Sequence, residues 1–205
     1  MKNITFTNEQ IKKIYELSYS ISESRGKNRQ NTINSVVIES LKSDPYYGGC
    51  EFKTEVRIPG EDLLWGTFFP VDVCIYKDGE LIEIVLIKAP ASSVQKNKTN
   101  TINSVNGDIT RLQKLDGIKV SVINFLPKKT PLFKIDETIE CFEKNLPFFL
   151  SKCGALYKFD IDEIYVLFEI DKLCECLTKK DVKNLFQNNP IKNIVIEQSI
   201  YKGLY

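Results

Sequence analysis

Between Phe68 and Lys88 two almost unbroken apolar runs are separated only by Lys77-Asp78-Gly79-Glu80. Asp-Gly at the centre of such a gap signals a two-residue hairpin, because both central positions of a type I′ turn need positive φ. The chain there reads as two antiparallel neighbours, Thr67 to Tyr76 and Leu81 to Lys88. The second run is apolar on both faces except at Glu83 and Lys88, which places it inside a sheet rather than at an edge. Upstream, Glu51 to Ile58 alternates as a strand and Pro59-Gly60 turns the chain. Three consecutive strands thus form a meander.

Helical patterns surround it. Thr7-Asn-Glu-Gln10 has the form of a capping box, and Ile11, Ile14, Leu17 and Ile21 follow at helical spacing. That helix should end near Ser24-Arg-Gly26. A second helix is expected over Asn31 to Lys42, with Ile33, Val36, Val37 and Leu41 inward, stopping before Asp44-Pro45 and Gly48-Gly49. Beyond Ala89-Pro90, Ser92 to Asn106 reads as a polar stretch leading into a helix through Val105, Ile109 and Leu112. A strand over Val120–Phe125, a helix over Ile135–Leu150 and a strand over Ile164–Ile170 follow. Thr178-Lys-Lys-Asp181 then opens a short helix, and Ile191–Ile196 is the last strand. The expected class is α/β, with one mixed central sheet flanked by helices. The whole chain, 1–205, reads as one domain: an N-terminal helix to residue 30, a core over 31–125 and a C-terminal α/β extension over 126–205.

Composition narrows the chemistry. The 205 residues include no histidine, which excludes a Ser-His-Asp triad, a Cys-His dyad, histidine-ligated zinc and HNH-type nuclease centres within one chain. Carboxylates and lysines remain, with oxygen-bound Mg²⁺ as the natural metal. The six cysteines, at 50, 74, 141, 153, 174 and 176, form no CxxC and read as reduced thiols, several of them in the core. No apolar run approaches the length of a membrane helix and the first residues are polar, so a cytoplasmic chain is expected. Net charge is only +1, yet residues 88–119 hold six basic against two acidic groups, a local +4. From Lys134 to Lys183 there are eight basic and 11 acidic residues, so that part is expected to face away from phosphates and to provide a dimer contact.

Two charges stand where apolar residues belong. Asp72 lies in Phe68-Phe-Pro-Val-Asp-Val-Cys-Ile75, and Lys88 ends Ile82–Ile87. An unpaired buried charge is costly, so each needs a partner, a metal or solvent. Pairing outward from the turn puts Asp72 near Val85 and Lys88 beyond Phe69, about 10 Å apart.

Pro70 and Asp72 on the second strand, with Lys88 ending the third strand of a helix-then-meander core, resemble the PD-(D/E)XK nuclease superfamily, which includes many type II restriction endonucleases. The resemblance covers about residues 31–125 and rests on order and topology. It implies a restriction-endonuclease-like core in which Asp72 and a second acid bind Mg²⁺ and Lys88 positions the attacking water. The second acid should stand two residues before Lys88, where this chain has Leu86; Glu83 lies at an odd offset and so faces the other side of the strand. Some members of the superfamily move this acid to the following helix, where Asp108 is the candidate here. Many also place a Glu in the preceding helix, which here would be Glu39.

The segment after Lys88 suits a nucleic-acid role. Ser92, Ser93, Gln95, Lys96, Asn97, Lys98, Asn100, Asn103 and Arg111 supply hydroxyls, amides and positive charge, the groups that meet phosphates and adenine edges. Arg25 to Gln30 is a second possible phosphate contact, and Trp65 reads as packing. The resulting expectation is a Mg²⁺-dependent endonuclease on double-stranded DNA, acting as a homodimer at a palindromic site. The alternatives are a nuclease-like protein that binds without cutting, Leu86 having replaced the acid, and an unrelated α/β interaction protein.

Overall fold

A computed structural model describes residues 4–19, 26–59, 68–112, 115, 117–153 and 160–202. Two helices come first, α1 (Asn8–Ser18) and α2 (Lys27–Lys42). The meander follows as β1 (Glu51–Pro59), β2 (Phe68–Lys77) and β3 (Glu80–Lys88). Then come α3 (Val94–Leu112), β4 (Lys119–Pro127), β5 (Lys129–Phe133), β6 (Ile139–Lys144), β7 (Ile161–Ile170), α4 (Lys179–Leu185) and β8 (Ile191–Tyr201). Six strands form one sheet in the order β1-β2-β3-β4-β7-β8, and β5 and β6 form a separate hairpin. The β3–β4 and β4–β7 pairs are parallel and the others antiparallel, so the sheet is mixed and β3 is interior.

Local signals explain much of this. Thr7 and Gln10 form the capping box of α1, and Thr178 with Asp181 forms that of α4. Asp78 and Gly79 both have positive φ, +53° and +86°, as the Asp-Gly hairpin requires. Each face of the sheet carries a core. On the first face α1, α2 and α4 pack over Val73, Ile75, Val85, Ile87, Ile123, Phe125 and Val166. On the second, Val105, Ile109 and Leu112 of α3 cover Cys74, Ile84, Leu86, Val120 and Val122. Among the described residues no helix is long and apolar enough to cross a membrane. The five cysteines whose side chains are described form no disulfide; Cys74 and Cys176 are buried, Cys141 and Cys174 exposed.

Two expectations are corrected. The polar stretch from Ser92 is helical from Val94 onward, because its N-terminus is capped from a distance. The Gln95 and Lys96 amides donate to the Glu143 carboxylate of β6 at 3.1 and 3.4 Å, satisfying donors that no local residue serves. Ile135–Leu150 is not a helix. Asp136 accepts from the Thr138 amide in a tight turn, and Ile139–Lys144 pairs with β5. Pro147 lies just beyond, and Asn145 is anchored to Pro127 and Thr130. Helix α2 also begins earlier than its apolar stripe, at Lys27, so Lys27 to Gln30 form its first turn. Trp65 and Arg25 lie outside the described residues.

Candidate functional site

Asp72 sits where the β2–β3 ladder ends. A register shift between Ile75 and Tyr76 sets Val73 opposite Val85, one residue from the alignment expected from the turn, and moves Asp72 toward Lys88. Alternation also breaks at Asp72. Phe69 and Val71 pack on the second face and Val73 and Ile75 on the first, although all four numbers are odd. The facing strand does the same, with Phe52 on the first face, Val56 on the second, and Glu55 between them at φ +52°. The side chain at this node is therefore free to turn along the sheet.

Its carboxylate replaces the missing rung. Asp72 Oδ2 accepts from the Ile87 amide at 2.7 Å, and Oδ1 accepts from Gln30 Nε2 of α2 at 2.9 Å. Gln30 also donates to Asn34 Oδ1 at 3.0 Å, and Asn34 Nδ2 donates to the Asp72 carbonyl at 3.3 Å. Burial raises the Asp72 pKa above the ordinary aspartate value; the Ile87 amide and the Lys88 charge pull it down, and the Asp108 charge raises it. Asp72, Lys88 and Asp108 thus share one electrostatic neighbourhood.

Lys88 leaves β3 on the same face as Leu86, under α3. Its Nζ meets Asp108 Oδ2 at 3.2 Å, and Arg111 lies 3.9 Å from Asp108 Oδ1 and 5.2 Å from the Phe69 ring centroid. Asp108 falls within the buried Val105, Ile109, Leu112 stripe of α3, which is why it points inward. Glu83 takes no part. It is 1% exposed and bonded to Ser121 and Tyr47 on the first face, as its odd offset from Lys88 requires.

Glu39 is a correction. It is exposed, and it follows Gln30 by about two and a half helical turns, which puts it on the opposite side of α2. The α2 groups at Asp72 are instead Gln30, expected from the sequence as part of a phosphate-contact run, and Asn34, for which no role was expected. Their signal was an amide, Asn34, standing beside Ile33 and Val37 on the apolar stripe.

Three carbonyls immediately after Lys88 are held by side chains of α1, α2 and the residue after α1. Arg29 Nη2 donates to Ala89 O, the Tyr15 hydroxyl is shared between Pro90 O (3.1 Å) and Phe125 O (2.9 Å), and the Tyr19 hydroxyl donates to Ala91 O at 2.7 Å. Arg29 is further fixed by Ser18 Oγ at 2.6 Å. Adjacent residues of α2, Arg29 and Gln30, therefore pin the end of β3 and the carboxylate of β2.

The candidate contacts along α3 divide. Lys96, Asn97, Asn100 and Asn103 are exposed, and Ser92 and Ser93 precede the helix, Ser93 at φ +52°. Gln95 is tied to Lys144 O and Asn145, Lys98 lies 4.4 Å from the Phe148 ring centroid, and Arg111 is engaged at Asp108. A narrow cavity of about 60 Å³ opens beside Lys88, lined by Lys98, Asn124, Phe148 and Tyr165 among others.

For a metal, the donor set is small. Among the described residues no group of three or more acids or thiols stands close enough to hold an ion. Asp72 and Asp108 are hard oxygen donors, each with lone pairs left over. Two carboxylates of this kind suit Mg²⁺, which commonly takes one or two carboxylates, keeps several waters and shares a substrate phosphate, rather than an ion enclosed by protein. Compared with models of known families, with curated proteins and with solved structures, the chain gives no match.

Proposed function

We propose that the chain is a Mg²⁺-dependent endonuclease of the PD-(D/E)XK type that cuts duplex DNA as a homodimer. One observation supports this reading: Lys88 of β3 pairs with Asp108 of α3 at 3.2 Å, and the charges of both act on the Asp72 carboxyl where the β2–β3 ladder opens. Asp72 and Asp108 would hold the ion, Asp108 standing in for the acid absent at Leu86. Bound there, Mg²⁺ supplies positive charge to the phosphate oxygens and makes water a stronger nucleophile at neutral pH. Lys88, held at Asp108, orients water and adds charge beside the developing oxyanion. Gln30 and the Ile87 amide keep the Asp72 carboxylate in one rotamer, and exposed Lys96, Asn100 and Asn103 of α3 meet the duplex.

The test is cleavage of supercoiled plasmid with Mg²⁺. The wild-type chain should cut, and Asp72→Ala, Lys88→Ala and Asp108→Asn should each lower the rate at least a hundredfold while thermal unfolding remains cooperative. Glu39→Gln should cut normally. A second reading is favoured by Leu86, which is 2% exposed and packed under α3 where the acid would stand: a nuclease-like protein that binds DNA without cutting. Salt-sensitive binding with no cleavage under any divalent cation selects it.

A further inference from the structure

Lys129 opens β5 and Lys144 closes β6, and the two are direct cross-strand partners. Like charges facing each other across an antiparallel pair destabilise it. Lys172, in the turn after β7, has φ +56°, a left-handed conformation unfavourable for a residue bearing Cβ. With Lys128 and Lys192 these lysines line a single cavity of about 470 Å³. Three acids share the lining with these five lysines: Glu169 pairs with Lys128 and Asp171 with Lys192, both at 2.7 Å, and Glu175 is exposed. Lys129 reaches only the Cys174 sulfur, at 3.8 Å. Among the described residues, Lys129, Lys144 and Lys172 thus have no carboxylate at ion-pair distance. A bound anion would relieve the repulsion among these ammonium groups.

We infer that this cavity binds backbone phosphates of a nucleic acid, as a second anchor for the duplex engaged at the candidate site; the inference rests on the proposed DNA-binding function. Placement favours a long polyanion over a small one. Strands β3, β4 and β7 are parallel, so Lys88 and the turn after Ile170 lie at the same end of the sheet. Lys88 is level with Asn124 and Tyr165, and Ile170 is five residues further along β7. Two strand spacings and five residues of rise amount to about 20 Å, close to six base pairs at ~3.4 Å each. Between the two points stands the start of α3, where Gln95 binds Lys144 O and Lys96 is exposed. The path proposed for the duplex runs from Lys88 past Lys96 to Lys144, Lys129 and Lys172. On this inference the C-terminal part meets phosphates, against the expectation from its sequence. The acidic sum over 134–183 includes carboxylates already paired and leaves out Lys128, Lys129 and Lys192.

The experiment is a fluorescence-anisotropy titration of a labelled duplex of about 20 base pairs, without divalent cation, between roughly 50 and 200 mM salt. It compares the full-length chain with the triple variant Lys129→Gln, Lys144→Gln, Lys172→Gln and with the corresponding triple Lys→Arg variant. The Gln variant should bind at least tenfold more weakly at low salt, and its slope of log K against log salt should fall by about 2–3. The Arg variant should keep both, and Glu169→Gln with Asp171→Asn should tighten binding. Cleavage at saturating protein should be unchanged in all. A Gln variant that unfolds like wild type and binds with the wild-type slope overturns the inference and leaves the proposed function standing. A wild-type chain that fails to bind duplex overturns both.

Discussion

At Glu163, burial turns an ordinary carboxyl into a group that titrates near neutrality. It is 4% exposed, and desolvation pushes its pKa from the usual 4.5 up to about 7, against the pull of hydrogen bonds from the Leu150 amide, Tyr165 and Asn124. Between pH 4.5 and about 7 the unfolded chain has released this proton and the native chain keeps it, so stability falls as pH rises through that interval and levels off above it. At about 1.4 kcal/mol per pH unit the loss is on the order of 3–4 kcal/mol. Glu163→Gln imitates the protonated form, so urea midpoints of variant and wild type should coincide near pH 4.5 and diverge above, the variant being the more stable; parallel curves contradict this. The same physics made Asp72 and Lys88 legible in the sequence. A charge within an apolar strand needs a compensating group, and both have one. Gln30 was not legible, because an amide on a helix reads as ordinary surface until the strand it faces is known; Asn34 left only the sign of an amide on an apolar stripe. Glu39 was misplaced for the complementary reason: an acid in the right helix carries no record of which side it occupies.

Elements whose causes are local were readable, and those whose causes are remote were not. Both capping boxes and the Asp78-Gly79 hairpin rest on neighbouring residues. Gly79→Ala should lower unfolding stability by about 1–2 kcal/mol in urea, since Ala must adopt the left-handed φ of +86°. By contrast, the first turn of α3 depends on Glu143 and β6 on its pairing with β5, partners about 50 and 10 residues away. The link between β3 and α3 is likewise remote in origin, held by Tyr15, Tyr19 and Arg29. Removing one hydroxyl leaves a carbonyl without its donor. Tyr19→Phe is therefore expected to cost about 1–2 kcal/mol, and Arg29→Met about 2–3 because its donor is charged. Hydrogen exchange locates the effect: amides over 91–98 should exchange faster in both variants while those of β7 hold their protection. Uniform acceleration across the molecule would mean that these side chains support the core rather than fix the end of β3.

Over the whole molecule a net charge of +1 conceals an ordered distribution. Lys88 and Lys172, far apart in the chain, fall toward the same end of the sheet because β3, β4 and β7 run parallel. No window of sequence displays that. The sheet has two edges, β1 and β8. On β1 the exposed residues Glu51, Lys53, Glu55 and Arg57 place charge along the rim, a pattern that discourages strand-to-strand association. Each chain offers one candidate centre, so on the proposed function cutting both strands of a duplex takes two chains related by a two-fold axis. Subunit mixing tests this directly. When wild type is equilibrated with excess Asp72→Ala chains, most assemblies carrying an intact centre hold only one, and each can cut only one strand per binding event. Supercoiled plasmid should then accumulate as the nicked circle, whereas wild type alone should yield linear product with little nicked intermediate. If two chains cut independently, dilution with the variant slows nicking and linearisation alike and leaves their ratio unchanged, and the dimeric arrangement is refuted even though Asp72 remains essential in each chain.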